Sequence, residues 1–128
     1  MESCSWALWL DELRARKNEL YGIGRYHVYL TDDAKMDRGS IGAAWANSEQ
    51  QPLGARPIRL EVYWYQRPGD DTGDVDHVLP VIDHLTRSGA WPDDCWLEHV
   101  TMVRTWADVA EEAGILVVAW ETDGTSGA

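Results

Sequence analysis

Ile58, Leu60, Val62 and Trp64 alternate with Arg59, Glu61, Tyr63 and Tyr65. That period of two is expected of a β-strand with one packed face and one wetter face. Upstream, residues Trp6 to Leu10 read as a short edge strand, although WALWLDELRAR also fits the start of a helix. His27 to Leu30 is a second short strand. Thr31 or Asp32 then offers a cap for a helix from about Asp33 to Ser48, with Met36, Ile41, Ala44 and Trp45 facing inward. Gly39 and Gly42 weaken that helix, and SEQQPLGARP after it is a polar connection too short to separate two domains.

Beyond the clear strand, Val78, Leu79, Ile82 and Leu85 recur at helical spacing. Gly89 ends this second helix and Pro92 prevents its resumption. Pro80 disfavours helical geometry at Leu79, which predicts a late or irregular start. Trp96 to Trp106 is β-prone, Ala107 to Ala113 is an acidic turn or short helix, and Ile115 to Trp120 makes the last strand before a GTSGA tail. The order is strand, helix, strand, helix, strand, strand. It predicts one α+β domain over residues 1–128, a small mixed β-sheet covered by two helices.

Composition adds limits. Eight tryptophans and no phenylalanine supply an apolar core. No apolar run is long enough to cross a membrane, and MESCSW lacks the basic start and apolar stretch of a signal peptide. Cys4 and Cys95 are too few for a disulfide framework, so two free thiols in a cytoplasmic protein are expected. The net charge is −11, unevenly spread: residues 1–67 carry nine basic and nine acidic side chains, and the rest carry two and thirteen. Such a chain cannot grip a phosphate backbone by bulk charge. Any nucleic-acid contact must come from the first half, where Arg14, Arg16, Lys17 and Arg25 interleave with Tyr21, Gly22, Gly24 and Tyr26. That composition suits phosphate contacts and base stacking, and equally a solvated surface loop.

The stretch Asp70 to Asp94 holds seven aspartates and one Arg or Lys, Arg87. Carboxylates gather at both ends of the second helix. Folding back would bring Asp74, Asp76 and one of the pair Asp93 and Asp94 together. Oxygen-only ligands of this kind suit magnesium, with manganese as a substitute; zinc would want histidine or cysteine at close spacing. The plainer alternative is that these aspartates cap helices and fill loops. Asp83 lies seven residues after Asp76, two turns of an ideal helix, and could be an outer carboxylate or a partner of Arg87.

The segment GDVDHVLPVIDHLTRSGAWPDD resembles the signature of the RusA-type Holliday junction resolvases, phage and prophage endonucleases. Asp74 and Asp76 match its opening pair, Asp83-His84-Leu85-Thr86 its middle, and Gly89, Trp91, Asp93 and Asp94 its close. The match is specific over about twenty residues and weaker elsewhere. The resemblance implies a RusA-like fold, metal-binding carboxylates at Asp74, Asp76 and Asp94, and a homodimer cutting four-way DNA junctions inside a bacterial host cell. Two departures stand out. His77 replaces the family's Asn, and no Lys falls near Leu79 or Pro80, with one residue deleted between Asp76 and Asp83.

The expectation is therefore a magnesium-dependent, structure-selective endonuclease acting on branched DNA through metal-activated water, with no membrane association. Arg14, Arg16, Lys17 and Arg25 would hold the DNA, and His77 would donate toward phosphate. The alternative is a catalytically weakened relative that binds DNA or protein as a regulator, favoured by the missing Lys and the net charge. A DNA mimic would need carboxylates spread over a surface; here they crowd one loop and helix.

Overall fold

The computed structural model describes residues 4–15, 21–23, 28–69 and 75–122. In chain order these form β1 (Trp6–Leu10), a hairpin of β2 (Tyr21–Ile23) and β3 (Val28–Leu30), α1 (Asp32–Ser48), β4 (Ile58–Gln66), α2 (Pro80–Arg87), β5 (Leu97–Trp106) and β6 (Gly114–Glu121). Four strands make the main sheet in the order β1-β6-β4-β5. β6 runs antiparallel to both β1 and β4, whereas β4 and β5 are parallel. A parallel pair requires a crossover, and a 3-10 turn at Val75–Val78 followed by α2 lies on that path. The protein is a small α+β domain with two helices over an open, mixed four-stranded sheet.

Registers follow the alternation in the sequence. Trp6, Leu8 and Leu10 align with Ala119, Val117 and Ile115, and these with Leu60, Val62 and Trp64. All nine are buried, and they form one core with Ile41 and Trp45 of α1 and Val81 and Leu85 of α2. On α1 the inward stripe is Ala34, Asp37, Ile41 and Trp45. Met36, expected inward, is 51 % exposed; it sits one residue, about 100° of helix, off that stripe. Ala44 is partly buried against the core. Thr31 is the cap, its hydroxyl oxygen accepting from the Ala34 N–H at 3.3 Å.

The hairpin strand Tyr21–Ile23 was not legible in the basic, glycine-containing stretch around it. Leu79 also departs from expectation. It keeps helical geometry, with φ −51° and ψ −33°, although Pro80 follows. Pro80 is the first residue of α2, where no amide hydrogen is needed, and the Ile82 N–H reaches back to the Leu79 carbonyl at 3.0 Å. The side chain of Leu79 is exposed, while Val78 and Val81 supply the buried contacts. α2 stops where expected. Gly89 adopts φ 89°, the Ala90 N–H donates to the Leu85 carbonyl at 3.1 Å, and the Gly89 N–H donates to that of Thr86 at 3.1 Å.

Candidate functional site

Asp94 is positioned by tryptophan packing. Just before it, Trp91 is 1 % exposed and stacks on Trp6 of β1, ring centroids 6.1 Å apart and planes within 5°. Its indole N–H donates to the Thr86 hydroxyl at 2.6 Å, and that hydroxyl donates to the Ile82 carbonyl at 2.7 Å. Trp45 of α1 also packs on Trp6, ring centroids 5.1 Å apart and planes tilted by 58°. The Leu53 N–H holds the Ala90 carbonyl at 2.9 Å. The chain entering the turn is thus fixed to the core, and Pro92, Asp93 and Asp94 emerge exposed from it. Asp93 caps the 3-10 turn Asp94–Trp96 by accepting from the Cys95 N–H at 3.3 Å.

Three described carboxylates interact here. A hydrogen bond with Asp93 pushes the Asp94 carboxyl above its ordinary range, and desolvation and the charges of Asp93 and Asp83 push the same way. The same hydrogen bond lowers Asp93. Asp83 is itself held by Arg87 at 3.1 Å, one helical turn on, and by Arg38 of α1 at 3.8 Å. These side chains are exposed enough that each pair contributes only a few tenths of a kcal/mol. Asp83 is therefore both the partner of Arg87 and a neighbour of Asp94.

The turn Val75–Val78, which contains Asp76, packs on β5, and the turn Asp94–Trp96 packs on α2. Val75–Val78 winds as a 3-10 turn before α2 begins at Pro80, so Asp76 and Asp83 are not two turns apart on one ideal α-helix. Asp74 and the side chain of Asp76 lie outside the described part of the chain. Among the described residues, no three histidine, cysteine, aspartate or glutamate side chains converge as a metal site. His77 is half-buried; its Nδ1 is enclosed without a hydrogen-bond partner among the described residues.

Of the basic residues, Arg16, Lys17 and Arg25 lie outside the described residues. Arg14 is exposed and lines an open groove of about 460 Å³ with Asp11, Glu12, Arg67, Ala110 and Ala113. Arg67 is bound to Glu12 at 2.8 Å. The backbone here is fixed by a residue that sequence reasoning missed. Asp37, 4 % exposed, accepts from the Arg14 N–H at 2.9 and 3.0 Å and from the Ala15 N–H at 2.8 Å. The signal was present: an aspartate on the inward stripe of α1, where a helix otherwise places apolar residues.

The strand directions separate the two regions. β1 and β4 run the same way, so Arg14 and Arg67 lie beyond their carboxyl ends, whereas Asp94 precedes the amino end of β5, which is parallel to β4. The two regions are nevertheless joined through α1, since Asp37 holds the Arg14 N–H and the adjacent Arg38 pairs with Asp83. Arg14 is not part of the acidic cluster. No family model matches the sequence, and no curated protein matches it.

Proposed function

We propose that the protein is a divalent-metal-dependent endonuclease selective for branched DNA, working as a homodimer, with Asp74, Asp76 and Asp94 as metal ligands. One observation carries the reading: Asp94 is fixed by buried tryptophan packing yet left exposed among Asp93 and Asp83, its carboxyl pushed up by them. A cation relieves that crowding, and magnesium or manganese suits an all-oxygen donor set. A bound ion would supply water activation and neutralise charge developing on the scissile phosphate.

The chain's own residues have separate tasks in this reading. Asp74, Asp76 and Asp94 hold the ion, Asp83 supports them from outside, and His77 donates to a phosphate oxygen. Arg14, with Arg16, Lys17 and Arg25, holds a DNA arm beyond the carboxyl end of β1, at the other end of the sheet from Asp94. A catalytically weakened regulator is the second reading, favoured by the sequence lacking a Lys near Leu79 and Pro80.

The test uses labelled four-way junction, linear duplex and flap DNA with magnesium, manganese or chelator. Paired nicks in the junction, abolished by chelator and by Asp94→Asn, are expected. Junction binding without cleavage under either metal would select the regulator, and neither binding nor cleavage would end the nuclease reading.

A further inference from the structure

Both helices pack on one face of the sheet. The other presents Trp9, Tyr63, Tyr65, Leu116, Val118 and Trp120, which the strand registers place side by side. Trp9 is 46 % exposed and the rest are half-buried. Six large apolar or aromatic side chains on one flat surface exceed the scattered exposure normal for a monomer. The charge on this face is also unusual for a protein of net charge −11. β1 and β6 bring no charged side chain to it, and β4 brings one cation and one anion, Arg59 and Glu61. Two strongly acidic molecules can approach here without meeting net like charge.

We propose that this face binds a second copy of the chain about a twofold axis that lies in the interface, crossing the strands at the level of Leu60. That operation stacks β4 antiparallel on its copy. Arg59 of each protomer then lies over Glu61 of the other, so one self-complementary contact is made twice. An axis along the strands would set Arg59 on Arg59 and Glu61 on Glu61, which charge forbids. The side chains are already held for the first arrangement. The Arg59 guanidinium lies 4.2 Å over the Trp120 ring, and the Tyr63 hydroxyl donates to Glu61. Trp9 reaches across Gly114, where a Cβ would have no room, to lie 5.7 Å from Tyr65.

The size is adequate. Four strands about 4.8 Å apart and about 25 Å long project roughly 500 Å². A standard interface takes about 800 Å² of accessible surface from each partner, and a surface with side-chain relief exceeds its projection. Tyr, Trp and Arg are also the residues that dominate interface energetics. The inference gives the dimer of the proposed nuclease its surface and rests on that reading only for its purpose. Its readout is mass rather than cleavage, so a monomeric protein removes the dimer and this face, while an uncleaved junction removes the nuclease chemistry.

The experiment is a charge swap followed by light scattering coupled to size exclusion, with circular dichroism and melting to establish folding. Wild type should be a dimer at micromolar concentration. R59E and E61R should each fold and each dimerise at least about tenfold more weakly, since each sets like charges together twice. Mixing R59E with E61R should restore the dimer, because every facing pair is opposite again. A monomeric wild type at about 100 µM, above the ordinary range for a stable interface, would overturn the proposal. So would single variants that dimerise like wild type, or folded variants whose mixture stays monomeric.

Discussion

The two faces of the sheet are built from alternate residues of the same strands, and they do different work. On the helix side, Leu60, Val62 and Trp64 are buried beneath α1 and α2 and contribute stability. On the open side, Arg59 lies over Trp120, Tyr63 donates to Glu61, and Tyr65 meets Trp9. The large apolar side chains that β1, β4 and β6 bring to the first face are buried in the core. The side chains of the second are oriented by a cation over a ring, a phenol on a carboxylate and an indole above a glycine. Stability is therefore concentrated on one side of β4, and capacity for contact on the other.

Substitutions across the sheet break this comparison most directly. Leu60→Ala should lower the stability of the monomer by about 2–5 kcal/mol, since it opens a cavity in a closed core. Val118→Ala, on the open face, should cost less than about 1 kcal/mol in the same chemical denaturation. Equal losses would mean the open face is packed as well as the covered one.

Asp37 tests whether the helix layer also fixes the loop that presents Arg14. Asp37→Ala leaves the Arg14 and Ala15 amides without their acceptor and should cost about 3 kcal/mol. Hydrogen exchange at those two amides should accelerate even where the rest of the core stays protected.

His84, fully buried on α2, sharpens the comparison through pH. Neither ring nitrogen has a hydrogen-bond partner among the described residues. Burial first, and then the nearby Arg38, hold its pKa below the ordinary 6.5; Arg87 acts the same way, while Asp83 and Asp37 oppose. Above pH 6.5 the imidazole is neutral in both folded and unfolded chains and pH has no leverage through it. As pH falls below that value the unfolded chain takes the proton first, so stability declines until the folded pKa is passed. Melting between pH 7 and 5 should show this loss, and His84→Leu should remove most of it. A slope unchanged by the substitution would assign the effect elsewhere.

The smallest effect belongs to the exposed ion pair. Arg87→Ala should change stability by no more than about 0.5 kcal/mol. Its consequence should instead be electrostatic, since Asp83 loses the nearer of its two cations and adds more negative charge beside Asp94.

Much of the covered face was legible in the sequence, because alternation in Ile58 to Tyr65 and the stop signals Gly89 and Pro92 are local. The stripe of α1 was read only in part. Met36 is apolar and was placed inward, but Asp37 takes the position because two backbone amides 22 and 23 residues away need its carboxylate. The Tyr21–Ile23 strand was missed because three residues with a central glycine carry no period. The contacts around Asp94 were half legible. The run of aspartates marked the place, but its fixation by Trp6, Trp45 and Trp91 joins three elements distant in the chain.

The most direct measurement of the central claim is divalent-ion binding at Asp94, followed by calorimetry and by thermal melting without DNA. Wild type should bind manganese and magnesium, with Tm rising by about 5 °C at roughly ten times Kd. Asp94→Asn should fold normally, gain slightly in stability without metal as crowding around Asp93 and Asp83 is relieved, and lose most of the metal-induced rise. An Asp94→Asn variant with the full rise, or a wild type that binds neither ion at millimolar concentration with or without junction DNA, would contradict the account.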